Sequence, residues 1–282
     1  MKFLVLLCVV IILVILYLLC LKPNRSRTGS MKPFEEVYFA HRGLFDQKLA
    51  PENSLEAFRR AVEGGYGIEL DVQLTADGQL VVFHDESLKR MCGVARKLWK
   101  CSYREICQYH LLDSGEQIPL FKDVLEIVNG KIPMIIEIKT TGDGIKTAKA
   151  LSGYLENYTG IYCIESFDPQ ILHWYRKHYP KVIRGQLSTN YWLNESKQPI
   201  YVKIGMTNLL TNFYAKPDFI AYNYEYEHQL SLQLCHRLYH TELAAWTIRS
   251  PEALEQARKS FRIFIFDGFV PAGKLEKPVQ KS

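Results

Sequence analysis

The chain has none of the motifs that would fix its function at a glance. It has no C-x-x-C pair. Of its seven cysteines, Cys8 and Cys20 lie in or beside an N-terminal apolar run, which leaves an odd five in the body. That pattern excludes a zinc ribbon and a disulfide framework, and it suits reduced thiols. No G-x-G-x-x-G or P-loop motif is present, so the usual phosphate cradles of dinucleotide and nucleoside triphosphate enzymes are missing. The net charge is +5, yet no basic stripe interleaved with aromatics stands out in the body, and nucleic acid is not an expected partner. Repeats and low-complexity tracts are absent as well.

What is present is an ordinary globular composition, 48% hydrophobic and 23% charged over 282 residues. Residues Phe3 to Leu21 are apolar apart from Tyr17 and the two cysteines. At 1.5 Å per residue such a helix just spans the ~30 Å hydrocarbon core. No A-x-A-like site follows it, and Leu18-Leu19 lacks the small residue expected before a lipoprotein Cys20, so a retained anchor over residues 1–22 is the expected reading. Lys22, Arg25, Arg27 and Lys32 outnumber the positive charges before the helix, which places the body in the cytoplasm by the positive-inside rule. A polar linker at 23–35 leads into a body expected over 36–275.

In the body, short apolar β-type runs alternate with helical stretches. Strands are expected at Val37–Ala40, Gly67–Val72, Met134–Lys139, Tyr162–Ile164, Val182–Leu187, Asp218–Tyr222, Leu243–Ile248 and Arg262–Asp267. Buried, near-continuous apolar strands of this kind argue for a parallel sheet covered on both faces. A ninth strand, Leu80–Phe83, follows its predecessor too closely for a helical crossover and must run antiparallel. Removing it leaves eight, the number that closes a (β/α)8 (TIM) barrel, whose active sites lie at the C-terminal strand ends. An open doubly wound sheet is the alternative. A helix from about Ser54 to Glu63 is expected, with Asn53 as N-cap, Glu56 at the N3 position and Gly64-Gly65 as its stop.

The densest chemistry lies in Gly67-Ile68-Glu69-Leu70-Asp71-Val72 and its return through Leu80-Val81-Val82-Phe83-His84-Asp85. Asp77-Gly78 between them is a strong hairpin signal. A two-residue loop there pairs Ala76 with Gln79 and sets Asp71 opposite His84, with Glu69 on the same face. Glu69, Asp71 and Glu137 end strands without an obvious buried basic partner for each, although Arg42 and Lys139 could neutralise two of them. A divalent cation held by the three carboxylates is the economical answer, and all-oxygen ligation favours Ca2+ or Mg2+ over Zn2+.

His41 and His84 flank this set as a candidate general acid and base. Arg42 offers a forked donor for phosphate and Lys139 a point charge. Metal, Arg, Lys and two histidines together describe phosphoryl transfer or phosphodiester cleavage. Glu52 either orients a site group or pairs with an arginine. Trp246 either walls a glycerol pocket or belongs to the core. Phe167 and Tyr222 read as packing residues, and Asp267 as a support for the site or a turn cap.

His41-Arg42-Gly43, Pro51-Glu52-Asn53-Ser54, Glu69-Leu70-Asp71-Val72, Thr75-Ala76-Asp77-Gly78, Val81-Val82-Phe83-His84-Asp85, Glu137-Ile138-Lys139 and Trp246-Thr247 follow the ordered signature of the glycerophosphodiester phosphodiesterases. The chain resembles that family from about residue 37 to 270. The resemblance implies a barrel, a divalent metal on Glu69, Asp71 and Glu137, catalytic His41 and His84, and phosphate contacts from Arg42 and Lys139. It also implies a small inserted subdomain at about 86–131, and products that are glycerol 3-phosphate and an alcohol. The chain departs from the pattern late. Its last strand reads Ile263-Phe264-Ile265-Phe266-Asp267-Gly268, and Ile248-Arg249 follows Trp246-Thr247. These changes bear on the alcohol side of the substrate. The apolar N-terminus raises a second enzyme reading, with lysophospholipids as substrates. A non-catalytic barrel that only binds is the third.

Overall fold

The computed structural model describes residues 1–24, 31–194 and 196–271. Arg25 and Arg27, which the orientation argument uses, lie outside these, as do the last residues of the expected barrel, 272–275. The elements in chain order are α1 (Lys2–Leu21), α2 (Lys32–Glu35), β1 (Tyr38–His41), α3 (Leu55–Gly64), β2 (Gly67–Leu74), β3 (Leu80–Val82), α4 (Lys89–Cys92), α5 (Tyr103–Ile106), α6 (Phe121–Val128) and β4 (Met134–Ile138). Then come α7 (Gly144–Leu155), β5 (Tyr162–Ser166), α8 (Pro169–His178), β6 (Arg184–Ser188), α9 (Ile200–Thr207), α10 (Asn212–Ala215), β7 (Phe219–Asn223), α11 (Leu230–Tyr239), β8 (Glu242–Ile248), α12 (Pro251–Ala257) and β9 (Ile263–Phe266).

Eight strands pair in parallel in the order β1-β9-β8-β7-β6-β5-β4-β2, and β1 pairs back onto β2, so the sheet closes into a TIM barrel. Period-two alternation sorts each strand's side chains. Outward residues such as Ile68, Leu70, Ile136, Ile164 and Ile220 pack under the helices. Inward residues Phe39, Ile135, Cys163, Phe219, Ala244, Ile263 and Ile265 fill the lower barrel, where Met31 and Phe34 of the α2 segment pack against them. Gly67 has a spatial reason to lack a side chain, because a Cβ there would stand 2.6 Å from the Phe39 ring. One layer higher, the same alternation turns His41, Glu69, Asp71, Glu137 and Glu165 inward.

The hairpin differs from its expected register. Leu74 pairs with Leu80, Gln73 with Val81 and Val72 with Val82, so the loop has three residues, Ala76-Asp77-Gly78. Thr75 is the cause. Its backbone N–H donates to Gln79 O (3.0 Å), and its Oγ1 accepts from Gln79 N (2.9 Å) and donates to Asp77 Oδ1 (2.6 Å). Gly78 closes the loop in the left-handed region at φ +79°. Asp71 therefore faces Phe83, whose N–H donates to Asp71 O at 2.9 Å, and His84 lies beyond the strand end.

The start of α3 is also corrected. Ser54 is the N-cap, its side chain accepting from Ala57 N at 3.1 Å. Asn53 stands before it in the left-handed region, φ +58°, and turns into the barrel. From within β3 onward, residues between Val81 and Ile118 build a small apolar core of their own around Leu88, Met91, Leu98 and Ile106. α6 lies in the main core with α3 and the barrel.

Candidate active site

The mouth of the barrel gathers the expected residues. β2 carries Glu69 and Asp71 two positions apart on one face, and the register sets Glu137 of β4 beside Asp71. A carboxylate oxygen from each of Glu69, Asp71 and Glu137 lies within 4.8 Å of the others, all buried. Lys139 Nζ stands 2.9 Å from Glu137 Oε1 and 3.3 Å from Asp71 Oδ1. Arg42 Nε is 3.5 Å from Asp71 Oδ2, and its backbone N–H reaches Glu69 Oε2 at 3.3 Å. Asn53 Nδ2 donates to Asp71 Oδ2 at 2.8 Å. The residue read as a helix cap thus holds a candidate metal ligand.

A fourth carboxyl, Glu165 of β5, pairs in register with Glu137 and lines the same pocket. Sequence reasoning gave it no role. The available signal was its place late in its strand, matching Glu137. Its Oε2 is buried with no hydrogen-bond partner. Four carboxyl groups therefore face two cations, Arg42 and Lys139. Burial pushes Glu69 well above the usual carboxylate range, helped by Asp71, Glu165 and Glu137. Burial raises Glu165 in the same way, and Glu137 to about 7 against the pull of Lys139. Burial would also raise Asp71, but Lys139, His84, Arg42 and the Asn53 hydrogen bond hold it far below the ordinary value. This surplus of buried acid, with an orphaned carboxyl oxygen inside it, matches the donor set of a hard divalent cation.

Each histidine is held through Nδ1 by a carboxylate. His41 Nδ1 donates to Asp267 Oδ2 at 2.8 Å, and Asp267 is fixed from behind by Arg249 Nε at 2.9 Å. His84 Nδ1 donates to Asp85 Oδ1 at 2.8 Å, and Asp85 takes two hydrogen bonds from Arg90. The pairing at Nδ1 leaves Nε2 as the working nitrogen in both rings. His41 Nε2 is 3.9 Å from Glu69 Oε2. Burial lowers both histidines below their ordinary value despite these partners. Gln73 supplies the support that the hairpin register does not. Its buried Nε2 donates to Phe83 O (2.7 Å) and Asp85 O (2.9 Å), clamping the backbone on both sides of His84.

Glu52 sits behind Arg42 and away from the pocket. It accepts from Arg42 Nη1 (2.7 Å), Gln47 Nε2 (3.1 Å) and two nitrogens of Arg90 (2.7 and 2.8 Å). Arg90 and Arg42 hold its carboxyl down at about 2, against the opposing effect of burial. Arg90, which sequence reasoning passed over, therefore links the Arg42 and His84 supports. The turn His41-Arg42-Gly43 is tight because Gly43, at φ +83°, abuts α3, where a Cβ would stand 2.9 Å from Ala57.

The pocket has a volume of about 230 Å³. One wall is the charged set. The other is Phe167, Leu187, Ile265 and Trp246. Phe167, read as a packing residue, meets Trp246 edge to face at 5.8 Å. The buried Trp246 indole N–H has no hydrogen-bond partner. Tyr222 faces outward into the core and donates to Thr207 O. A larger hollow, about 550 Å³, lies beside the mouth between Gly43–Gln47 and Phe266–Val270 and touches none of the candidate metal ligands.

Comparisons with known proteins agree with this arrangement. The family model described as the glycerophosphoryl diester phosphodiesterase family matches residues 41–268. A glycerophosphodiester phosphodiesterase of Caldanaerobacter subterraneus is 37% identical over 164 residues, 54% of this chain and 66% of that protein. Glycerophosphodiester phosphodiesterase 1 of Bos taurus is 27% identical over 239 residues, 72% of this chain and 71% of that protein. The chain spans under two thirds of the length of the first of these and 43% of a Bacillus altitudinis relative. The crystal structure of the Thermotoga maritima glycerophosphodiester phosphodiesterase superposes with a TM-score of 0.62 at 28% identity, covering 82% of this chain and 95% of that one. The signature residues, their convergence at one barrel mouth and the match from His41 to Gly268 all lead to one assignment: this chain belongs to the glycerophosphoryl diester phosphodiesterase family.

Proposed function

We propose that the protein hydrolyses glycerophosphodiesters to glycerol 3-phosphate and an alcohol. The observation that carries this reading is the triad Glu69, Asp71 and Glu137 within 4.8 Å, flanked by two carboxylate-held histidines and two cations. The triad would hold Ca2+ or Mg2+, with Glu165 adding charge beside it. When bound, the cation supplies Lewis-acid stabilisation of the phosphoryl oxygens.

The chain's own residues do the rest. Arg42, braced by Glu52, and Lys139 receive the phosphate. One of His41 and His84 takes the proton of the attacking oxygen at Nε2, and the other returns one to the leaving alcohol. Asp267 and Asp85 keep Nδ1 protonated throughout. Trp246 and Phe167 wall the organic part of the substrate, with the Trp246 indole N–H free to donate to it. The reading treats 36–275 as the catalytic barrel and 86–131 as a small inserted subdomain joined to it through α6.

A second reading is favoured by one feature. α1 is a 20-residue apolar helix whose most apolar 18 residues have a mean hydropathy of 3.6, long enough to cross a membrane. We read it as a retained anchor with the barrel on the cytoplasmic side, which brings membrane lysophospholipids within reach as substrates for a phospholipase D-type cleavage.

The test is release of glycerol 3-phosphate from glycerophosphocholine by the full chain, with and without Ca2+ or Mg2+. Hydrolysis that His41→Ala and Glu69→Ala abolish supports the assignment. Unchanged hydrolysis in both variants would sink the assigned site. No hydrolysis of any glycerophosphodiester under either metal would leave a binding barrel.

A further inference from the structure

Period-two alternation puts three buried side chains on one face of β2: Glu69, Asp71 and, one step further along, Gln73. The first two are candidate metal ligands. Gln73 is 1% exposed and carries no charge, so its place in that row needs another reason. The reason lies in the return strand. β3 ends at Val82, and the carbonyls beyond it run off the ladder. Gln73 Nε2 has two protons, and they go to two of those carbonyls, Phe83 O at 2.7 Å and Asp85 O at 2.9 Å. His84 is the residue between them.

The other end of the amide is set as closely. Carbonyls only accept, so Nε2 must face them and Oε1 must face away. Oε1 accepts from Thr141 Oγ1 at 2.5 Å. Thr141 thus supplies the donor that this orientation requires. It lies in the loop after β4, two residues beyond Lys139. Its neighbour Gly142, at φ +68°, is seated against Trp99 of the inserted segment, where a Cβ would stand 3.1 Å from Trp99 Cβ. Phe83, just before His84, is buried in the apolar core of that same segment. His84 therefore sits at the seam between barrel and insertion. Arg90 holds the seam from the insertion side through Asp85, and Gln73 and Thr141 hold it from the barrel side.

We propose that Gln73 and Thr141 are positioning residues for His84, a hydrogen-bonded link from the loop that follows Glu137 and Lys139 to the backbone that carries the His84 ring. Asp85 fixes the rotation of the ring. Gln73 and Thr141 fix where its Cα stands. Proton transfer at Nε2 needs the ring within hydrogen-bond reach of a substrate oxygen, about 2.6–3.2 Å, so a small drift of residues 83–85 is felt in the rate. Glutamate at 73 would set an acceptor against two acceptors, and leucine would leave both carbonyls without that donor. Neither Gln73 nor Thr141 is among the residues lining the pocket, so their effect must pass through His84. The inference rests on the reading of His84 as an acid–base group.

The test is a mutant cycle in the full chain. Thr141→Val removes the donor and should lower kcat on glycerophosphocholine by about tenfold, with KM and the metal concentration for half-maximal activity near wild type. Thr141→Ser keeps the donor and should stay within about twofold of wild type. In a His84→Ala chain, Thr141→Val should cost nothing further. No loss in Thr141→Val, an equal loss in Thr141→Ser, or an equal loss in both backgrounds would overturn the proposal. A second readout needs no turnover. In the 15N-histidine-labelled chain, the His84 ring signals are identified by their loss in His84→Ala. Thr141→Val should shift or broaden them and Thr141→Ser should not; unchanged signals in Thr141→Val would overturn the proposal as well. A wild-type chain that cleaves no glycerophosphodiester would remove the phosphodiesterase reading, while the ring signals would still decide whether Thr141 sets His84.

Discussion

The barrel mouth has two unlike halves. From β1 through β5 its inward side chains are His41, Glu69, Asp71, Glu137 and Glu165, all but Glu165 embedded in hydrogen bonds or ion pairs. Across the pocket, the loop after β5, β6 and β8 present Phe167, Leu187 and Trp246, with the exposed Trp192 and Leu193 beyond them. The charged half is over-determined. Asp71 alone is met by Lys139, Arg42 and Asn53. The apolar half is held by packing, with an unpaired indole N–H. Bond-making chemistry tolerates little displacement, so its groups are fixed by many partners. Substrate selection needs only shape and a donor, so that half is free to vary. Of the late departures of this chain from its family's pattern, Ile265 falls on that half, whereas Arg249 acts on the charged half by gripping Asp267, the partner of His41.

The comparison makes graded predictions. Glu69→Gln or Glu137→Gln should reduce kcat by about a thousandfold or more at saturating metal, since each alters a candidate metal ligand in the charged half. Steady-state kinetics on glycerophosphocholine check this, and a loss under tenfold would dissolve the contrast. Asp267→Asn should lower kcat by about a hundredfold with KM little changed, because it releases the His41 ring without touching substrate. Glu165→Gln should raise the metal concentration for half-maximal activity by about tenfold, read by metal titration, since it removes charge beside the triad. Trp246→Phe should raise KM several-fold and leave kcat near wild type, the signature of the apolar half.

The smallest effect is on stability. Glu52 is held down at about 2 from an ordinary 4.5, so its folded-state pKa is depressed. Its contribution is present above pH 4.5 and is lost as pH falls through that window toward 2. The loss should be of order 2 to 3 kcal/mol in chemical denaturation at pH 2.5 against pH 6, and Glu52→Gln should flatten that part of the profile.

Much of this was legible in the sequence because alternation and strand count depend only on local pattern. Eight parallel strands with one antiparallel return, and six of the nine candidate site residues lining one pocket, follow from where apolar runs end. What the pattern could not show is side-chain capture. Thr75 adds a residue to the hairpin loop by taking Gln79 and Asp77, a competition that the Asp-Gly signal hides. Asn53 has the chemistry of a cap, but the next residue caps better and Asn53 tolerates the left-handed turn that aims it at Asp71. Arg90 and Gln73 act from the hairpin and from beyond it, across gaps that only the closed barrel brings together. Glu165 was hidden because a lone acidic residue late in a strand is an ordinary surface signal until its neighbours are known.

On the proposed reading, Glu69, Asp71 and Glu137 hold a divalent cation for phosphodiester cleavage, with Glu165 beside them. The direct measurement is glycerol 3-phosphate release from glycerophosphocholine by the full chain after chelation, then after adding back Ca2+ or Mg2+, in wild type and Glu137→Gln. Activity that disappears on chelation, returns with metal in wild type and fails to return in the variant is the predicted result. Full activity in the chelated wild-type protein would contradict it.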